Sequence, residues 1–558
     1  MTRFTRSIRL RVVVLVLTLL PSCALLRAQD APAERRATPD MKFAIAGTVV
    51  SSISGMPLER ASVSITDTGN PANARWMVTS ENGHFEFSAL KPGKFSLEGA
   101  KRGFIPAAYE QHEQFSTAIV TGAGFDTQNL VLRLTPLALL SGKVIDEAGD
   151  PVRNASVRIY EEHNDADMVR ITPRDNASTD DQGTFEFAAL APGNYFLSVE
   201  AKPWYAVHPI SSPTERADTA VNIAPSLDVA YPATYYGDTT EAEGARSILI
   251  KGGDHSQVEI HLNPVPALHL VFHVPGDGQQ GFNAPMLQKH VFDTVEYVQS
   301  EGTQCVDPGI CELVGVPAGR YSVQLQEPKT GQIQQSTEMN LFKDGQEFDT
   351  SGSEPAARVK LTVKMPRHEP VPKQLYVSLG DSRRQIAASQ TVNEAGEATF
   401  ENLIAGKYAI HISSPTKRYS VARALSQGVE FPRNELDVKA GTSIEVAVTL
   451  VEGVVTVEGF AKKGAKPIAG VIVALVPNDP EAHLDMFRRD QSDSDGSFLL
   501  RDVIPGSYTI VAIEDAWGFQ WLQPGVLKRY VDHGQNLTVG ELMKGSVLLP
   551  DPVVVQPR

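Results

Sequence analysis

Cysteine is scarce in this chain: 3 residues among 558. That excludes a disulfide-dense scaffold and leaves too few thiols for a zinc ribbon. Positive charge is in deficit, with 51 Lys and Arg against 66 Asp and Glu, a net charge of −15 and a pI of about 5.4. No basic stripe stands out, so nucleic acid is not an expected partner. Long apolar runs are missing as well. The longest, Val12 to Leu20, is broken by Thr18 and is too short to span a bilayer. Helical periodicity is absent, as are a His-Glu-x-x-His zinc helix, a Gly-x-Ser-x-Gly nucleophile elbow and a phosphate loop. What remains, 42% hydrophobic and 21% charged residues, is the composition of globular domains.

The N-terminus reads as an export signal. Arg3, Arg6, Arg9 and Arg11 precede the apolar run, and small residues follow it. Two processing routes are open. A signal peptidase could cut after Ser22-Cys23-Ala24 or after Ala28, whereas Leu20-Pro21-Ser22-Cys23 resembles a bacterial lipobox in which Cys23 would carry lipid. Residues 1–28 are assigned to the signal and 29–41 to a linker. The expected location is periplasmic, outer-membrane-associated or extracellular, with membrane contact through an N-terminal lipid anchor alone. In an exported chain Cys305 and Cys311 are expected to close a hairpin as a disulfide.

A phrase recurs along the chain. Asn82-Gly83-His84-Phe85-Glu86-Phe87 and Leu90-Lys91-Pro92-Gly93-Lys94-Phe95 return as Gln182-Gly183-Thr184-Phe185-Glu186-Phe187 and Leu190-Ala191-Pro192-Gly193-Asn194-Tyr195. Gly396 and Gly496, and Tyr408 and Tyr508, keep the same interval of 100 positions. A period of this length marks small domains built alike. Each phrase has a physical reading. A polar residue before glycine supports a tight turn of positive φ, alternating aromatics put one face of a strand into a core, and Pro-Gly turns the chain again. About seven short strands per hundred residues predict a β-sandwich for each unit. The fold expected is therefore all-β, a tandem array of about five sandwiches. They fall at residues 42–135, 136–263 with an aromatic insert at 204–243, 264–355, 356–451, and 452–558 with a C-terminal tail. The third is degenerate, since it keeps Pro317-Ala318-Gly319-Arg320-Tyr321 but lacks the Gly-x-Phe start.

These phrases resemble the carboxypeptidase regulatory-like domain, a transthyretin-like sandwich of the carbohydrate-binding-like fold group, over most of residues 42–515. The resemblance implies an accessory module that serves an enzyme domain or an outer-membrane barrel, and neither is visible here. It also raises the question of zinc peptidase chemistry. None of the 13 histidines has the Glu three residues on that a carboxypeptidase ligand pair needs. No catalytic residue, cofactor or metal is expected. The acid run Asp490-Gln491-Ser492-Asp493-Ser494-Asp495-Gly496 invites a calcium reading. Gln491 stands where the first carboxylate should be, so the run reads as a solvated hairpin turn like Asp180-Asp181-Gln182-Gly183.

Aromatics are the candidate ligand contacts: Trp204, Tyr205, Tyr231, Tyr235 and Tyr236 in the second unit, and Trp517, Phe519 and Trp521 in the fifth. On an extended segment the last three would face one way. Flat rings with polar edges suit sugar faces; the competing reading buries them against their own sheets. The function expected is a non-enzymatic exported binding or spacer protein whose partner is a polysaccharide or an envelope protein. The alternative is an accessory subunit of an envelope hydrolase, or a scaffold in an outer-membrane transport complex.

Overall fold

The structure, a computed structural model, describes residues 42–558 apart from 166–167, 209–223, 274–284, 299, 301, 308, 327–332, 349–355, 366–368, 382–385, 432–433, 481–482 and 521–524. Alternation in the sequence becomes strands almost throughout. His84–Leu90 and Thr184–Leu190 each bury their two phenylalanines and the terminal leucine while the residues between face water.

Five sandwiches follow one another. In each, the opening strand lies between two partners. Phe43–Ser51 pairs antiparallel with His84–Leu90 and parallel with the closing strand Leu130–Pro136. The same arrangement joins Ala138–Ile145 to Thr184–Leu190 and His255–His261. It recurs around the opening strands Leu268–His273, Ala357–Lys364 and Val455–Lys463. A second sheet covers each of the first four, as Ala74–Val78, Ser62–Asp67, Gly93–Ala100 and Ala107–Ala108 do in the first. The fifth merges its layers, because Val553–Gln556 pairs with both Val455–Lys463 and Gly506–Ile513. The stretch read as a tail therefore belongs to this sandwich. It supplies Gln535–Val539, Gly545–Leu548 and Val553–Gln556, and Val553 and Val555 enter the core.

The repeated glycine is held by two constraints. Gly83, Gly183, Gly396 and Gly496 have φ between 70° and 81°. A β-carbon there would lie 2.5–2.8 Å from the carbonyl oxygens of Val49, Val144, Val363 and Ala461. Neither φ nor space admits a side chain.

Two hydroxyl contacts recur with the phrase. Tyr195, Tyr321, Tyr408 and Tyr508 each donate to the carbonyl four residues earlier, at 2.6–2.8 Å. The first sandwich has Phe95 at this place, and its equivalent carbonyl, Lys91, takes the Thr121 hydroxyl at 2.8 Å instead. Thr79 and Thr179 clip the second strand, each accepting an amide (Ala61 or Ala155) and donating to a carbonyl (Leu58 or Val152). Ser492 does the same in the fifth. Such buried groups stabilise only when paired.

Each sandwich has its own apolar core. Leu137 alone separates the end of the first from the start of the second. Where the second meets the third, Phe292 lies 5.0 Å from the rings of both Tyr160 and Phe196 and 5.8 Å from Tyr235.

Candidate binding site

Strand Gly193–Glu200 pairs with Ser156–Asp165 on one side and Thr234–Tyr235 on the other, and it delivers Ala201-Lys202-Pro203 to the cleft at the joint with the third sandwich. Trp204 follows and stands 86% exposed. Its ring meets Tyr205 edge-on, centroids 5.7 Å apart. The Tyr205 hydroxyl donates to Glu147, whose other oxygen accepts from Tyr231 at 2.9 Å. Burial alone would raise the Glu147 carboxyl, but the bonds from Tyr205, its own backbone and Tyr231 hold it below the usual range. Tyr205 is pushed up to about 12 by desolvation and by that carboxylate. Both phenols therefore keep their protons at neutral pH and stay fixed as donors.

Beside this trio runs a cleft of about 460 Å³ between the second and third sandwiches. Asn154, Glu200, Lys202, Tyr231, Glu241 and Lys289 bring polar groups to it. Lys289 bridges Glu241 at 3.4 Å and the Thr240 carbonyl at 3.1 Å. Nearby, Arg158 meets Glu296 at 2.6 Å, and Tyr160 donates to the same carboxylate at 2.7 Å. Burial, then the Glu296 charge, raises the Glu200 carboxyl, and Arg158 opposes them. The lining ends at Pro203, one residue before Trp204, and a half-open cleft with amide, carboxylate and ammonium groups can hydrogen-bond hydroxyls. A larger, more open depression of about 860 Å³ in the fourth sandwich is lined by none of the candidate aromatics.

Not every candidate reaches this surface. Tyr235 is fully buried and Tyr231 nearly so. Tyr235 sits in strand Thr234–Tyr235, which pairs with Gly193–Glu200, so the insert covers the sheet and its tyrosine fills the joint with the third sandwich. Tyr236 is half-buried against the second core. In the fifth sandwich the expected extended face does not form, because residues 517–519 are a turn closed by the Phe519 amide on the Ala516 carbonyl. Trp517 instead stacks on His112 of the first sandwich at 4.8 Å with planes 6° apart, and its indole N–H donates to the Gly470 carbonyl. Phe519 packs on Tyr530 with the Arg558 guanidinium over its ring. Trp521, Cys23 and the export signal lie outside the described residues.

The acid turn is not solvated. The Asp493 carboxylate holds Lys94 of the first sandwich at 2.7 Å and the Ala118 amide at 3.0 Å. Asp493 takes the place in its turn that Asp180 takes in the second sandwich, but Asp180 is exposed whereas a neighbouring domain covers Asp493. Among the described residues no group of three or more His, Cys, Asp or Glu is arranged to hold a metal ion. Cys305 and Cys311 face each other across neighbouring strands and are joined by a disulfide. Sequence reasoning missed Glu147, Arg158, Glu296 and His112. Each is a charged or polar residue in a loop or strand with no spacing to mark it.

Residues 44–133 and 140–224 match the carboxypeptidase regulatory-like domain. No curated protein matches the chain. Among solved structures the Bacillus anthracis TIE protein is 13% identical, with 75% of this chain and 76% of that one covered and a TM-score of 0.17. The Streptococcal ancillary pilin is 11% identical over 52% of this chain and 100% of its own, at 0.20. The major pilin subunit of Bacillus cereus is 10% identical over 74% and 99%, at 0.15. None of the three superposes on the chain as a whole. No helix among the described residues is long and apolar enough to cross a membrane.

Proposed function

We propose, from the premise that the first two sandwiches are carboxypeptidase regulatory-like domains, that this chain is a non-enzymatic exported protein that binds carbohydrate at the joint of its second and third units. The observation that carries the reading is the placement of Trp204. It is a large apolar ring left almost wholly in water, set edge-on against Tyr205, which Glu147 holds, and it follows directly on Pro203 in the lining of a polar cleft. An exposed tryptophan costs solvation unless something covers it, and a sugar face does so while its hydroxyls reach Asn154, Glu200 and Lys202. The remaining sandwiches serve as spacers that carry the site away from its anchorage, with an N-terminal signal or lipid placing the chain in the envelope.

The test is polysaccharide pull-down and glycan-array binding by the full chain and by Trp204→Ala and Tyr205→Ala variants. Binding should fall by roughly five- to thirtyfold for Trp204→Ala, since one stacked ring contributes on the order of 1–2 kcal/mol. Binding unchanged in both variants sinks this reading.

A further inference from the structure

The first and fifth sandwiches stand at opposite ends of the chain, yet they dock. Strand Ile119–Thr121 and the loop before it meet strand Arg488–Gln491 and the acid turn. Ser494 donates its amide to the Ala118 carbonyl at 3.0 Å, and its hydroxyl accepts the Val120 amide at 2.7 Å. Gln491, 1% exposed, donates to the Glu110 carbonyl at 2.6 Å and the Thr117 hydroxyl at 2.7 Å, and its oxygen is hydrogen-bonded to His112. Two ion pairs frame these bonds: Lys94 with Asp493 at 2.7 Å and Arg489 with Glu113 at 3.0 Å.

We propose that this contact is a reversible clasp whose halves also pair between chains, the first sandwich of one copy docking on the fifth sandwich of a second copy. Three observations carry it. Each half belongs to a sandwich with a core of its own, so the clasp can open without unfolding either domain. Apart from Trp517, whose ring lies against His112 and Phe115, the contact is polar, and Gln491, Thr117 and Ser494 lose protein partners but regain water when it opens. It therefore has the character of a transient interface rather than of a divided core. Finally, the charges form a code. The first sandwich presents Lys94 and Glu113, and the fifth presents Asp493 and Arg489 in complementary order. Two different patches that fit each other make a heterologous contact, which closes within one chain or joins chains head to tail. Closure within the chain benefits from an effective concentration on the order of millimolar, so single closed chains dominate in dilute solution and exchange dominates where copies crowd. This inference is independent of carbohydrate binding.

Charge reversal separates the two modes. In Lys94→Glu two acids face each other, and in Asp493→Lys two lysines do; each variant alone should stay monomeric, with a larger radius of gyration in small-angle scattering than the parent. Mixed in equal amounts, their one arrangement free of facing like charges is a dimer with both clasps formed between chains. Light scattering should then give roughly twice the monomer mass. The double variant Lys94→Glu/Asp493→Lys should close on itself, compact and monomeric. Circular dichroism checks folding, and the pair Glu113→Arg and Arg489→Glu repeats the design should either first variant misfold. A mixture of folded variants that keeps monomer mass overturns the exchange. Single variants as compact as the parent overturn the clasp itself.

Discussion

Ala189 is the second residue from the end of its strand, and its φ is 59°. An L-residue with a β-carbon meets the following carbonyl in that region, at a cost of about 1 kcal/mol. The cause is the register. Between Ala138 and Leu140 the pairing with Thr184–Leu190 slips by a residue, and the extra residue must turn left-handed. The same slip occurs in all five sandwiches, with Ala89, Gly315, Asn402 and Asp502 at the equivalent place. It also explains why Phe185, Phe187 and Leu190 all point inward although their spacing changes from two to three. Ala189→Gly should stabilise the second sandwich by about 0.5–1 kcal/mol, less than the full strain because glycine gains freedom in the unfolded chain. A urea midpoint that moves upward with unchanged slope would show it; a downward shift would contradict the account.

The element that departs most from its sequence reading is strand Arg488–Gln491 with its acid turn. Asp180, in the equivalent turn of the second sandwich, is exposed, and the hydroxyl and amide of Thr184 hold its carboxyl below the usual range. Asp490 lies beside the docked turn and is pushed the other way, from 3.8 up to about 6, chiefly by burial; the Leu499 and Gln491 amides oppose this and the Asp493 charge adds to it. The folded state thus holds the proton more tightly than the unfolded chain. Ionised Asp490 costs stability: its contribution is most favourable below about pH 4, falls as pH rises to about 6, and is level beyond. Asp490→Asn removes the cost, so at pH 7.5 the variant should be more stable by up to about 3 kcal/mol, with the gap closing toward pH 4. Hydrogen exchange of strand Ile472–Pro477 at the two pH values reads this directly. A variant less protected at pH 7.5 would refute it.

Across the whole molecule, five cores are joined by contacts of different kinds. The joint of the second and third sandwiches is aromatic and charged, with Phe292 set among Tyr160, Phe196 and Tyr235 above the Arg158–Glu296 pair. Phe292→Ala empties the middle of that joint and leaves both sandwich cores whole. The loss should be about 2 kcal/mol of coupling between the two domains. It appears as faster hydrogen exchange in Met168–Ser178 and Thr294–Val298, with exchange in Ala138–Ile145 and Leu268–His273 unchanged. Loss of protection in all four strands would mean that the ring belongs to a core. The clasp between the ends is the polar counterpart of this joint. Together they decide which aromatic rings meet solvent.

The unit, its repetition and its turns were legible in the sequence by itself, because each depends on neighbours a few residues apart. Alternation decides which face of a strand is buried, and Gly83 and its copies decide where the chain reverses. Even the third unit, with its opening phrase gone, keeps the strand order and the register slip of the others. Tertiary structure alone decided what the loops do. Trp204 and Trp517 follow equivalent strands, yet the first stands in water and the second lies under the first sandwich. The partner that covers Trp517 lies some 400 residues away, as Lys94 does from Asp493 at a separation of 399. Local pattern carries no information about which distant surface a loop will meet, and burial of a side chain is settled by that meeting.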